Sequence, residues 1–93
     1  MSDKEVFCED LDRQLEVFES QIQGIRDKKS GATEDGRAKM SDILDRWPEA
    51  TLLARRRTDE LRQSTEDWIP QKDSTVAMWA ELKSMVDQAS AAY

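Results

Sequence analysis

Apolar and near-apolar residues recur at steps of three and four along nearly the whole chain. The first series is Cys8, Leu11, Leu15, Phe18, Ile22 and Ile25. The second is Met40, Leu44, Trp47, Thr51, Ala54, Thr58, Leu61, Thr65 and Trp68. The third is Thr75, Trp79, Leu82, Val86, Ala89 and Tyr93. Such steps align side chains in one stripe along a helix, the seam by which helices bind helices. The pattern predicts helices over residues 3–28, 34–68 and 74–92.

The ends of these segments carry matching signals. Ser2 can cap the first helix, and Asp3 and Glu5 suit the positive end of its dipole. Arg26, Lys28 and Lys29 suit the negative end, and Ser30-Gly31 predicts a stop with glycine in the left-handed conformation. Gly24 inside this helix points to close backbone packing. Thr33 or Asp35 begins the second helix. Pro70 is expected to end it, and Asp73 or Ser74 to cap the third. Pro48 removes a backbone donor inside the second helix. Either the helix kinks at Arg46–Trp47 or it breaks and restarts; the unbroken phase through Trp47, Thr51 and Ala54 favours a kinked, continuous helix.

Short connections make successive helices antiparallel neighbours. The expected fold is all-α: one domain over residues 1–93, an antiparallel up-down-up three-helix bundle with coiled-coil-like seams and a kink near Pro48. Folding the first hairpin about Gly31 brings the acidic stretch Glu5–Asp12 beside Arg55-Arg56-Arg57. Trp68 and Trp79 should meet in the core where the second and third helices join. A third helix starting at residue 74 is much shorter than the second and leaves one end of the bundle uncovered. Phe18, Ile22, Ile25, Met40, Leu44 and Trp47 lie at that end. They are the expected partner-binding residues, because a contiguous apolar patch marks an interaction surface.

Composition narrows the function. Ninety-three residues make one small domain. Gly, Pro and β-branched residues are few, which favours helix over sheet. A net charge of −6 repels phosphate and anionic lipid, so nucleic acid is not an expected partner. No apolar run is long enough to insert through a membrane, and no signal-peptide core is visible. A single cysteine forms no internal disulfide, and Cys8 reads as a small buried hydrophobe on the seam. An intracellular, cytoplasmic location follows as an expectation.

Groups for catalysis are scarce. The chain has no histidine, the commonest general base and metal ligand. There is no phosphate-binding glycine loop, no Ser/His/Asp set, and no structural zinc site. Glu9-Asp10-x-Asp12 lacks the turn and terminal glutamate of a calcium loop and reads as a solvated helix face. Three successive arginines on a helix point in different directions, so they do not form a phosphate site. No catalytic, cofactor or metal site is expected, and no small-molecule substrate.

Two segments resemble a spectrin-type repeat. Trp79-Ala80-Glu81-Leu82 is similar to the family's Trp-x-x-Leu near the start of the third helix, with Phe18 at the first-helix aromatic position. Leu44-Asp45-Arg46-Trp47, followed by Ala54-Arg55-Arg56-Arg57 and Leu61, resembles the same helix in a different phase of the repeat. Both alignments remain open. The resemblance implies a mechanical spacer or scaffold, often in tandem and contacting cytoskeletal proteins. The function expected from the sequence is a non-enzymatic helical scaffold or protein-interaction module working through helix–helix contacts. The alternative is a small adaptor or regulatory subunit whose apolar groove is completed by a partner helix or by self-association.

Overall fold

The first apolar series folds as helix α1, Asp3–Lys28. The Ser2 hydroxyl accepts from the Glu5 amide at 3.2 Å, closing its N-terminus. Helix α2, Glu34–Gln63, begins at Thr33, whose hydroxyl accepts from the Gly36 amide at 3.1 Å. Helix α3 spans Ile69–Ala92. The computed structural model describes residues 2–64 and 67–92. Every pair of helices is in contact, so the chain is an all-α three-helix bundle. It is a rod of 49 × 19 × 17 Å.

The α1–α2 connection departs from expectation. Gly31 is not left-handed: no described glycine has a positive φ. The chain instead tightens into a 3-10 turn at Lys29–Gly31, and Ala32 is extended at φ −84°, ψ 164°. Those residues add length before α2 begins. The hairpin register shifts accordingly. Asp12 meets Arg62, two turns further along α2 than Arg55, and Arg55 pairs with Glu19 at 2.6 Å. Glu9 and Asp10 face Arg13 of their own helix instead.

Helix α2 runs unbroken through Pro48, which lies on an exposed position. A proline there withholds only the bond to the Leu44 carbonyl. The buried seam of α2 carries Met40, Ile43, Leu44, Trp47, Thr51, Ala54, Thr58 and Leu61 without a change of phase. Thr65, and Tyr93 at the end of the third series, lie outside the described residues.

The α2–α3 boundary is the larger correction. Helix α2 stops at Gln63 rather than residue 68, and α3 starts at Ile69 rather than 74. Pro70 does not end a helix; it sits in the first turn of one, where its missing donor costs nothing. The Asp67 carboxylate accepts from the Ile69 amide at 3.1 Å, and the Trp68 carbonyl takes the amides of Gln71 and Lys72. Asp73 and Ser74 fall inside α3 instead of capping it. With 24 residues, α3 is about 36 Å long. It reaches the far end of the bundle, where Ala92 lies against Gly36 in the first turn of α2.

That reach closes the end expected to be open. Leu11, Leu15, Ile22, Ile25, Met40, Ile43, Leu44, Trp47, Trp79, Leu82, Val86 and Ala89 belong to one continuous core. The two helical glycines differ in kind. A side chain on Gly36 would collide with the Ala92 carbonyl, whereas one on Gly24 would meet nothing within 4 Å. Gly24 does not mark close packing. Gly24→Ala should therefore stabilise the fold by about 1 kcal/mol, the ordinary helix-propensity gain. Gly36→Ala should destabilise it by about 1–3 kcal/mol through overpacking. Urea unfolding of the two variants checks this, and equal signs would place the α3 terminus elsewhere.

Candidate functional site

The six residues expected at an open patch are brought together, but inside the chain. Ile22, Ile25, Met40, Leu44 and Trp47 are buried, with Trp47 only 4% exposed. Phe18 is half-buried against the same core. The patch assumed a short α3, and the five extra residues at the start of α3 remove that premise.

The surface left apolar lies on another face, between the parallel helices α1 and α3. A groove of about 310 Å³ runs there, lined by Phe7, Leu11, Gln14 and Phe18 from α1 and by Val76 and Ala80 from α3. Its floor is Trp79, whose indole Nε1–H donates to the Leu11 carbonyl at 3.0 Å. Asp10 borders the groove on α1 and Lys83 borders it on α3. Val76 is 47% exposed, and Val6 and Val17 are exposed on α1 next to Phe7 and Phe18. Of the exposed large hydrophobics among the described residues, Val76 lines the groove.

The sequence contained the signal for this surface, in a second series that shares Leu11 and Phe18 with the seam and adds Phe7 and Gln14, each one position before a seam residue. Phe7, Leu11, Gln14 and Phe18 follow steps of four, three and four, and Val76 and Ala80 follow a step of four. The dominant seam at Cys8, Leu11 and Leu15 hid the first series. The misplaced start of α3 left Val76 at a helix end.

At the Ser2 end, Trp68 does not join a shared core with Trp79. Its ring packs on Phe7, with centroids 5.4 Å apart. The Lys72 ammonium stands 5.6 Å from both ring centres. A cation over two aromatic faces ties the start of α3 to α1. The Lys4 ammonium closes the same end by donating to the Ser64 carbonyl at 2.7 Å.

Cys8 is buried beside Arg62 and Lys4, at the floor of a polar depression. Burial pushes its thiol pKa up, and nearby Asp12 adds to the rise; Arg62 and Lys4 oppose it. The neutral thiol is therefore the folded form, and the residue behaves as a small hydrophobe. Among the described residues, no three His, Cys, Asp or Glu side chains gather as a metal site, and no helix is long and apolar enough to cross a membrane. Compared with known proteins, the chain matches no family model, no curated protein and no solved structure.

The thiol gives a pH test. Its folded pKa is raised, so its stabilising contribution is complete below the unfolded value of about 8.5 and is lost as pH rises past it. The stability of the wild type should fall between pH 8 and pH 10 relative to Cys8→Ala, and the two should run parallel from pH 6 to pH 8. Thermal unfolding across that range measures the difference. Parallel curves throughout would mean that Cys8 ionises as freely in the folded chain as in the unfolded one.

Proposed function

We propose that the chain is a non-enzymatic helical scaffold or protein-interaction module that works through helix–helix contacts. The observation that carries this reading is the α1/α3 groove, an apolar channel between two parallel helices with polar rims. A third helix laid into such a channel buries apolar area on both flanks, the geometry of helix-in-groove recognition. Most of the other large apolar side chains are buried in the bundle's own seams, with Leu52, Leu53 and Ile69 exposed elsewhere, which supports a role in presenting helix faces rather than in enclosing a substrate. In this reading the adaptor function and the scaffold function share one surface.

The elongated shape, 49 Å by less than 20 Å, favours a second emphasis, a spectrin-like spacer in the cytoplasm that holds attached partners apart. That reading draws on the rod and on the Trp79-Ala80-Glu81-Leu82 resemblance, and it places the useful surface at the two ends. The groove reading places it on the side.

Site-specific photo-cross-linking in cells separates them. A photoreactive residue at position 76, in the groove, should give a protein adduct of defined mass. One at Glu49, on the exposed face of α2, should give none. Adducts of equal yield from both positions, or none from position 76, would remove the groove as the working surface.

A further inference from the structure

We infer that the Ser2 end of the bundle is a gate. The first turns of α1 and α3 and the last turn of α2 open as one unit while the rest of the rod stays folded, and that opening admits solvent to the Cys8 thiol. The inference does not depend on what occupies the α1/α3 groove.

The two ends of the rod are built differently. At the far end Ile25, Met40 and Ile43 belong to the continuous apolar core, and the Ala92 carbonyl sits against Gly36. At the Ser2 end Cys8 and Leu61 are buried but stand outside that core. Thr75, one turn before Trp79, is buried there too, with its hydroxyl turned onto the Gln71 carbonyl of its own helix. A thiol, a threonine methyl and one leucine bury much less apolar area than the far end does, so this layer contributes little to holding the three helices together.

What holds this end shut lies at its edge. Lys4 ties the end of α2 to α1 through the Ser64 carbonyl. The Phe7–Trp68 ring pair, with the Lys72 ammonium over both faces, ties the start of α3 to α1. Lys4, Phe7 and Trp68 are half-buried and Lys72 is exposed. A layer with little buried apolar area, closed by solvent-facing contacts and made of three helix termini, opens at a lower free energy than the whole fold. The buried indole bond from Trp79 to the Leu11 carbonyl is the first firm lock inward and sets the limit of the unit. Cys8 lies outside that lock, at the floor of a depression lined by Lys4 and Arg62. Its burial therefore depends on the closed end.

Native-state hydrogen exchange at low urea tests the gate. The amides of Cys8, Leu61 and Thr75 should exchange through one shared opening, about tenfold or more faster than those of Ile22, Ile43 and Val86, which should exchange only on global unfolding. Labelling of Cys8 with an aromatic disulfide is the second readout. Its rate should be nearly independent of urea well below the unfolding transition. It should rise about tenfold in Trp68→Ala and about two- to fivefold in Lys72→Gln. Gly36→Ala, at the other end, should lower global stability yet leave the labelling rate within about twofold of wild type. A labelling rate that follows global unfolding at every urea concentration overturns the gate, as does equal acceleration by Gly36→Ala and Trp68→Ala. Protection that fades residue by residue from each helix terminus overturns the single unit. Acceleration by Arg62→Ala with Trp68→Ala at the wild-type rate would mean that side-chain movement alone uncovers the thiol, and overturns its link to the gate.

Discussion

One buried hydrogen bond, from the Trp79 indole to the Leu11 carbonyl, ties the parallel pair α1 and α3 together in a fixed register. A helical carbonyl has a second lone pair after its own ladder bond, so the indole takes nothing from α1. Apolar seams alone tolerate slippage by a turn, because one Leu or Val fits much like the next. A polar atom that must find its partner in a dry core does not tolerate it. With Trp79 fixed, the far end of α3 is carried to Gly36 and the near end to Phe7. Core closure at one end and the aromatic clasp at the other are both consistent with this one alignment. The groove between α1 and α3 takes its register from the same bond.

The buried threonines of the seams, unlike Trp79, make their hydrogen bonds within their own helices. Thr51, Thr58 and Thr75 are buried, and each hydroxyl donates to a carbonyl of its own helix, those of Pro48, Ala54 and Gln71, at 2.8–3.0 Å. No buried side-chain polar atom among the described residues lacks a partner. Threonine on these seams therefore presents mainly its methyl group to the neighbouring helix. This is why a stripe containing threonine behaves as an apolar one, and why the bundle needs no buried ion pairs. The salt bridges seen among the described residues lie at the surface and contribute about 0–1 kcal/mol each.

The helices and their seams were legible because the signal is repeated: three or four residues out of phase would break a stripe of six or more. The capping residues Ser2 and Thr33 were legible because they act within one turn. Boundaries set by a single residue were not. Pro70 reads equally as the end of one helix or the first turn of the next, and only the Asp67 and Trp68 hydrogen bonds decide between them. That one choice moved the start of α3 by five residues. The error then spread, making α3 too short, opening a false patch around Trp47, and hiding Val76. The charge pairing failed for a similar reason. It assumed a sharp reversal at Gly31, whereas the 3-10 turn and extended Ala32 carry the chain onward before it turns. Burial of the core was a property of many residues; exposure of the groove depended on a few.

Three helices in alternating directions place Ser2 and Ala92 toward opposite ends of the rod. Tension drawn between those points acts along the helix axes, so neighbouring seams are loaded in shear and cannot be peeled apart contact by contact. Slippage by one turn must lift every knob on a seam from its hole together and must also break the indole bond at Trp79. Resistance in this geometry grows with seam length. The five residues that extend α3 past a stop at Pro70 therefore lengthen the part of the rod that shares the load.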